Sequence, residues 1–302
     1  MALPCAHAFV EKFKGERLIA VIDPSQKALL ERSNLPFEIW AFDKKKDRKA
    51  LTLKLKTEKI DSVYILTNSV GSYLPYWKAR VKNRFGFGGK WTRHLLTQPA
   101  NRNWLKEPQG ERWVKLIDPT LTTIDVQPLL NLQKIPSLKP HLLLFPGAKY
   151  GPSKQWDAKS YSDIIQLAFD SNWEVSLYGT KDETDIGIEI QNNLNKELNM
   201  NFGTHNLKAL MEHIEAIPNP LCLANDSGAM HLMSACGVPT LGLYFSTSAQ
   251  NTPPAFGTYK VLEADIACRP CYKRTCPLEH YQCREKIELQ TVWEQLKSLS
   301  LK

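Results

Sequence analysis

The spacing of apolar positions along the chain predicts short strands that alternate with helices. In the first half, compact apolar runs predict strands at 17–23, 37–42, 62–66 and 83–87, with helices at 26–33 and 44–59. After a proline-punctuated connector over 98–138, the alternation restarts, with strands at 141–145, 173–178, 220–224 and 240–245 and helices at 160–171, 183–198, 207–217, 229–236 and 287–301. This alternation indicates parallel α/β sheets in two domains, 1–135 and 136–302.

Composition narrows the class of protein. Of the 302 residues, 43% are hydrophobic, which excludes a disordered chain, and the net charge of +8 suggests an anionic partner such as a phosphate, a nucleic acid or an acidic membrane surface. No apolar run reaches the ~20 residues of a membrane span, and the start lacks the features of a signal peptide. With seven cysteines and no export signal, we expect reduced thiols and a cytoplasmic protein.

The clearest candidate site is Asn225-Asp226-Ser227-Gly228-Ala229-Met230-His231, which lies between a predicted strand and a predicted helix. Ligands of open α/β sheets bind at the carboxyl ends of strands, and a helix start offers free N–H groups to an anion. Gly228 would let a phosphate approach the backbone, and His231 would point back from the first helical turn. The alternative is that Asp226 or Ser227 only caps the helix and that His231 is a surface residue.

A second candidate is the loop 146–156, Pro-Gly-Ala-Lys-Tyr-Gly-Pro-Ser-Lys-Gln-Trp, which follows the first strand of the second domain. Lys154 suits a phosphate clamp, because a mobile cation can stabilise a diphosphate leaving group. The alternative is a solvated basic loop with a structural tryptophan at Trp156.

A third candidate is a cluster of cysteines whose spacing is C-x2-C-x4-C-x6-C, formed by Cys268, Cys271, Cys276 and Cys283. C-x2-C is a common half-site for zinc or iron, with His280 as a substitute ligand, and a metal held by four protein ligands would be structural. The other gaps fit no standard finger. A disulfide-capable loop and cysteines that merely pack are the alternatives.

Taken in order, these motifs resemble those of the ADP-heptose:lipopolysaccharide heptosyltransferases, glycosyltransferase family 9, and most of all the heptosyltransferase II branch. The matching segments are Pro146–Trp156, Tyr178-Gly179-Thr180-Lys181-Asp182, Asn225–His231, Thr252-Pro253-Pro254 and Cys271–Leu278, with Asn68-Ser69 and Arg84-Phe85-Gly86-Phe87 in the first half. The resemblance covers nearly the whole chain.

The resemblance implies a GT-B fold, in which two Rossmann-like domains face each other across a cleft. It implies an inverting transfer of L-glycero-D-manno-heptose from ADP-heptose to heptosyl-Kdo-lipid A, by direct displacement and without a catalytic metal. Lys154 corresponds to a lysine that contacts donor phosphate and stabilises the leaving group. The remaining donor-binding positions are Gly147, Ser153, Gly179, Thr180, Asp226, Ser227, Gly228 and His231, and the acceptor-side positions are Asn68, Ser69 and Arg84. The protein is then expected as a monomer at the inner face of the inner membrane.

One departure concerns the start of the chain. The family opens with a strand and a Gly-Asp turn whose Asp is the general base, whereas Met1-Ala2-Leu3-Pro4 resembles the residues just after that Asp. We therefore expect the first strand and the base to be missing, and Asp23 has no feature that makes it a substitute. This leaves the activity of this chain open.

The alternatives to a lipopolysaccharide heptosyltransferase are a homologue that binds nucleotide-sugar without turnover and a family-9 transferase with another acceptor. A metal-containing nucleic-acid binder is disfavoured, because the basic residues are spread out and no nucleic-acid module is recognised.

Overall fold

The computed structural model describes residues 2–43, 45–121, 126–135 and 138–301. The chain divides into two compact units, Met1–Val126 and Gln127–Lys302. The segment 127–135, which the sequence analysis assigned to the first domain, lies with the second unit. Its backbone is held there, since Leu129 N–H donates to the carbonyl of Ala235 at 2.9 Å and Ile135 N–H donates to Oδ1 of Asn219 at 2.7 Å.

The first unit is an α/β domain. Its helices are α1 (Leu3–Lys12), α2 (Lys27–Arg32), α3 (Arg48–Thr57), α4 (Val70–Lys78) and α5 (Gln109–Ile117). Its strands are β1 (Leu18–Ile22), β2 (Phe37–Ala41), β3 (Ser62–Ile65), β4 (Asn83–Gly86) and β5 (Gln98–Pro99). The bounds of α2 and of β1 to β4 follow the apolar pattern closely, and the Lys-rich helix begins only at Arg48. Helix α1 was not predicted, and β5 and α5 lie within the predicted connector.

The strands of the first unit form two separate parallel sheets, β1–β2 and β3–β4–β5. Separate apolar clusters cover them: Trp40 packs with Leu51 and Leu55 of α3, while Cys5 and Ala8 of α1 pack with α5. Among the residues that the structure describes, no strand joins β1 to β3. The expectation of a missing first strand stays a prediction.

The second unit contains a six-stranded parallel sheet. Its strands are β6 (His141–Phe145), β7 (Glu174–Gly179), β8 (Asn199–Phe202), β9 (Pro220–Asn225), β10 (Thr240–Tyr244) and β11 (Tyr259–Glu263). Its helices are α6 (Ala158–Asp170), α7 (Thr184–Asn192), α8 (Leu207–Glu215), α9 (Gly228–Ala235), α10 (Gln282–Glu285) and α11 (Leu289–Ser300).

The strand order β11-β10-β9-β6-β7-β8 is that of a dinucleotide-binding doubly wound sheet. The chain starts at the centre with β6, builds outward through β7 and β8, and then returns to place β9 on the other side of β6. Loops that leave the carboxyl ends of β6 and β9 therefore diverge, and this switch point is where such sheets bind ligands. The sheet is anchored by a buried core in which Leu142, Leu223 and Ile164 are fully inaccessible.

Two strands of this sheet were missing from the sequence prediction. The segment predicted as one helix over 183–198 ends at Asn192 and is followed by β8, and β11 occupies a segment with no predicted element. Both are edge strands, where one side of the ladder is free and side chains are partly exposed, so their apolar signal is weak. None of the described helices combines the length and apolarity needed to cross a membrane.

Candidate active site at the switch point of the second sheet

Asn225, at the carboxyl end of β9, ties together the loops on the two sides of the switch point. Its side chain is fully buried. Its Nδ2 donates to the carbonyl of Pro146 at 2.7 Å, and its Oδ1 accepts from Trp156 N–H at 3.2 Å and from the Tyr161 hydroxyl at 3.0 Å. The loop 146–156 and the start of α9 are thus held beside each other, as the sequence predicted. Asn225 belongs to the predicted motif, but no role had been assigned to its side chain.

Lys154 and Asp226 form the central ion pair of this site. Lys154 Nζ lies 2.5 Å from Oδ2 of Asp226 and 4.9 Å from the ring of Tyr150. The Lys154 side chain is 15% exposed and that of Asp226 is 4% exposed. The same Asp226 oxygen accepts a hydrogen bond from Thr247 Oγ1 at 2.6 Å. The carboxylate of Asp226 therefore positions a cation and does not cap the helix, and Thr247 is a further site residue that the sequence analysis missed.

The start of α9 presents polar atoms that the protein leaves unused. Ser227 is the N-cap residue, but its hydroxyl makes no capping hydrogen bond. Ser227 Oγ and His231 Nδ1 are buried, and neither has a hydrogen-bond partner among the described residues. A Cβ added to Gly228 would meet nothing within 4 Å. Together with the free N–H groups of a first helical turn, these features make an open, polar site suited to an anion.

His231 is held neutral. Burial lowers its pKa from 6.5 to about 4, against the opposing charge of Asp226. At neutral pH, the ring can therefore donate or accept a hydrogen bond through Nδ1 without adding charge to the site.

The turn after β7 packs closely against two glycines, Gly147 in the loop after β6 and Gly179 at the end of β7. A Cβ on Gly147 would lie 2.1 Å from the Glu183 carboxyl group, and one on Gly179 would lie 2.5 Å from the ring of Phe202. Glu183 accepts hydrogen bonds from the Thr180 N–H at 2.9 Å and the Thr180 hydroxyl at 3.0 Å. The predicted residues Gly147 and Thr180 are thus joined through Glu183, which the sequence analysis did not single out.

Ser153 faces the protein interior. It is 3% exposed, its N–H donates to the carbonyl of Arg274 at 3.1 Å, and its hydroxyl contacts the carbonyl of Lys273 and the hydroxyl of Ser246. Gly151 has a φ of +146°, and a Cβ there would lie 2.5 Å from the Arg274 carbonyl oxygen. Ser153 therefore positions the loop that carries Lys154, since its own polar atoms are already bonded to the segment after Cys271.

The four cysteines predicted to form a metal site are free thiols that line one pocket, together with His280. Burial alone would raise the pKa of Cys276, but backbone N–H groups of Tyr281, Leu278 and Glu279 hold that pKa below its usual value. Burial raises the pKa of Cys283, against the charges of Arg269 and Arg284. Among the described residues, no three His, Cys, Asp or Glu side chains are placed to hold a metal ion. A structural metal stays a prediction from the spacing.

The predicted acceptor-side residues lie in the first unit, at or near the sheet β3–β4–β5. Asn68 and Ser69 are exposed after β3, and Ser69 Oγ lies 2.7 Å from Ser72 Oγ. Arg84 lies within β4 and is half-buried; its Nε donates to the carbonyl of Leu95 at 2.7 Å and its Nη1 donates to the carbonyl of Val81. Arg84 therefore links its own strand to the segments on either side, and its Nε and Nη1 each donate to a backbone carbonyl.

Comparison with known sequences identifies a family. The sequence model described as Glycosyltransferase family 9 (heptosyltransferase) matches residues 48–282. Lipooligosaccharide heptosyltransferase 2 of Campylobacter jejuni serotype O:6 is 28% identical, over 99% of this chain and 95% of its own length. Lipopolysaccharide heptosyltransferase 2 of Escherichia coli K12 is 26% identical, over 84% of this chain and 80% of its own length.

Comparison with solved structures identifies the fold. E. coli ADP-heptose lipopolysaccharide heptosyltransferase II superposes with a TM-score of 0.80 at 22% identity, covering 99% of this chain and 95% of that one. The iron-containing dodecameric glycosyltransferase TibC from enterotoxigenic E. coli superposes with a TM-score of 0.63 at 14% identity, covering 100% of this chain and 74% of that one. The GT-B fold class expected from the sequence is confirmed.

Proposed function

The chain belongs to glycosyltransferase family 9, the heptosyltransferases, and on that basis we propose that it transfers L-glycero-D-manno-heptose from ADP-heptose to the inner core of lipopolysaccharide. The observation that carries this proposal is the Lys154–Asp226 pair beside the open start of α9, at the switch point of the sheet. The relatives named lipooligosaccharide or lipopolysaccharide heptosyltransferase 2 support heptose as the sugar and the lipopolysaccharide core as the acceptor.

The donor diphosphate matches the chemistry of this site. We propose that the diphosphate lies over the first turn of α9. There Ser227 Oγ and His231 Nδ1 have no hydrogen-bond partner among the described residues, and the absence of a side chain at Gly228 leaves space for a phosphate. Lys154 then exchanges part of its contact with Asp226 for a phosphate oxygen, a short movement for a flexible ammonium. Gly147, Gly179 and Thr180 would line the nucleotide side of the site, with Ser153 supporting the loop.

The proposed reaction is a direct displacement. An acceptor hydroxyl oxygen forms a bond to the anomeric carbon as the bond from that carbon to the β-phosphate oxygen breaks, so the anomeric configuration inverts. Negative charge develops on the departing ADP, and Lys154 together with the helix start stabilises it; removal of one such donor typically costs 10²–10³-fold in rate. The acceptor hydroxyl loses its proton to water, since no side chain described in this chain is placed as a general base.

The acceptor is proposed to be a lipid-anchored sugar, heptosyl-Kdo-lipid A, bound on the first unit near Asn68 and Ser69. This acceptor would bring the protein to the inner face of the inner membrane as a peripheral, monomeric enzyme. The net charge of +8 supports an acidic, phosphorylated acceptor.

Two measurements on the purified chain test the proposal: calorimetric titration with ADP-heptose, and transfer to heptosyl-Kdo-lipid A followed by mass spectrometry. We expect donor binding, a product heavier by one heptose, and an inverted linkage by NMR. Lys154→Met should abolish both signals, whereas Lys149→Met, on the exposed part of the same loop, should retain them. Donor binding without transfer to any core acceptor would overturn the enzyme proposal and leave a nucleotide-sugar binding protein.

We also propose that the pocket formed by the four cysteines takes a structural metal. The four cysteines and His280 line this one pocket, and the N–H groups around Cys276 favour its thiolate, which is the form that binds zinc or iron. Metal analysis of the purified protein and of Cys276→Ser tests this proposal. Purified protein that contains no zinc or iron, and whose Tm does not rise when either metal is added, would refute it.

A further inference from the structure

The net positive charge of this protein lies in its first unit, which corrects the expectation that the basic residues are spread out along the chain. Residues 1–126 contain 23 Lys and Arg against 13 Asp and Glu, a net charge of +10, so the second unit is slightly acidic. Within the first unit, the stretch 62–106 contains eight Lys and Arg and no Asp or Glu. This stretch comprises the whole sheet β3–β4–β5 and helix α4. A basic, acid-free segment of this length is suited to contact with a polyanionic partner.

The sheet topology brings the loops of the stretch 62–106 that follow β3, β4 and β5 to one edge of the sheet. Because β3, β4 and β5 are parallel, the segments that follow them emerge at the same carboxyl edge. That edge carries three large apolar side chains in water: Val70 is 49% exposed, Trp91 is 79% exposed and Leu105 is 37% exposed. Its exposed cations are Lys90, Arg102 and Lys106. We call these six residues the carboxyl-edge patch.

Trp91 stands on a loop that is itself firmly held. Gly88 N–H donates to the buried Tyr73 hydroxyl at 3.1 Å, and Gly89 N–H donates to Thr92 Oγ1 at 2.6 Å. Arg93 Nη1 bridges the carbonyls of Phe87 and Ala100, each at 3.3 Å. The Trp91 side chain is 79% exposed, and the Lys90 ammonium lies 5.8 Å from the centre of its ring. With Val70 and Leu105 at the same edge, this ring adds to an exposed apolar surface rimmed by polar residues, which is typical of an interaction site.

We propose that the carboxyl-edge patch docks the protein on an anionic bilayer surface, with the Trp91 ring inserted at the headgroup level. The proposal rests on the lipid-linked acceptor proposed above and names the surface that meets the membrane. Tryptophan flanked by aliphatic side chains and lysines is the composition that membrane interfaces favour. Val70 and Leu105 would enter the acyl boundary, whereas they would add nothing to binding of a nucleic-acid backbone. The predicted acceptor-side residues Asn68 and Ser69 immediately precede Val70, so docking here brings the lipid-anchored sugar to them.

The test is co-sedimentation of the full chain with phosphatidylcholine vesicles that contain phosphatidylglycerol, at physiological salt. Burying a tryptophan ring of this size predicts that Trp91→Ser lowers the partition coefficient about tenfold. Removing three cations with Lys90→Gln, Arg102→Gln and Lys106→Gln predicts a loss of about a hundredfold, at about 1 kcal/mol per cation.

The opposite edge of the same sheet supplies matched controls. Trp77, which is 48% exposed at the end of α4, is the control for Trp91, and the exposed trio Lys78, Arg80 and Lys82 is the control for the three cations. Trp77→Ser and the triple Gln variant at this trio should each lower partitioning by no more than about threefold. Equal losses at both edges would mean diffuse electrostatic attraction and would overturn the patch.

Further outcomes separate this proposal from the proposed function. Trp91→Ser should transfer heptose to a soluble, deacylated acceptor as fast as the parent does. If the parent transfers no heptose to either acceptor while Trp91→Ser still loses vesicle binding, the enzyme proposal fails and the patch stands. Vesicle binding by Trp91→Ser that equals that of the parent overturns the proposed docking at the carboxyl-edge patch. The proposal also fails if Trp91→Ser keeps vesicle binding and instead loses self-association in sedimentation or binding of an RNA oligonucleotide.

Discussion

Substitutions in the Lys154–Asp226 pair can separate the contribution of Lys154 to stability from its proposed contribution to donor binding. Lys154→Met keeps the length of the side chain but removes the charge, and leaves Asp226, at 4% exposure, with Thr247 Oγ1 as its remaining side-chain donor. Removing one partner of a buried pair usually costs about 3–5 kcal/mol, because the other charge stays buried without compensation. Since Lys154 retains 15% exposure, we take about 3 kcal/mol, the low end of that range.

The assay compares Lys154→Met with the double variant Lys154→Met/Asp226→Asn. A unit of this size shifts its Tm by about 2–4 °C per kcal/mol, so the single variant should melt about 6–12 °C lower. The double variant removes the uncompensated carboxylate and should recover to within a few degrees of the parent. Affinity for ADP-heptose should stay at least a hundredfold weaker in both, because the phosphate has lost its cation in both.

Two results would refute this reasoning. A single variant as stable as the parent would mean that Asp226 is not buried against Lys154 as described. A double variant that binds ADP-heptose as tightly as the parent would mean that Lys154 contacts no phosphate and serves only to neutralise Asp226.

The remaining predictions address the neighbours of this pair. Gly228→Ala should keep the Tm or raise it slightly, because the added methyl meets no protein atom within 4 Å and alanine restricts the unfolded chain. It should nevertheless weaken ADP-heptose binding at least tenfold if phosphate occupies that space; unchanged affinity would contradict this. Asn225→Ala should destabilise the fold by about 3 kcal/mol, because Trp156 N–H and the Tyr161 hydroxyl lose a buried acceptor; a cost below about 1 kcal/mol in urea denaturation would contradict it. For His231, the folded pKa of about 4 lies below the unfolded 6.5, so stability present above pH 6.5 is lost as the pH falls towards 4; His231→Gln should flatten that loss, and identical pH profiles by circular dichroism would disprove it.

Much of the candidate site was readable from local sequence. Gly and polar residues directly after the apolar strands β6 and β9 indicated where ligand-binding loops lie, and the loop with Lys154 and the segment 225–231 do meet. The uneven distribution of charge could also be predicted from the sequence, since the stretch 62–106 contains no Asp or Glu. The net charge of the whole chain does not show this distribution, because it sums both units. Sequence suggested Arg84 as an acceptor ligand and Ser153 as a donor ligand, and both roles stay predictions. In the structure, Nε and Nη1 of Arg84 donate to backbone carbonyls, and the Ser153 hydroxyl donates to the carbonyl of Lys273.

By itself, then, the sequence determined the alternation of strands and helices, because the two periods of apolar residues are local properties of the chain. It also determined the segments that carry the chemistry, because Gly, Pro and N-cap residues act within a turn. Only the tertiary structure decided the strand order, the edge strands β8 and β11, and the ion pair between Lys154 and Asp226, which are 72 residues apart. The strand order and the ion pair depend on which strands pair and on which side chains are buried together. Such contacts join residues that are far apart in the sequence, so no local apolar pattern predicts them.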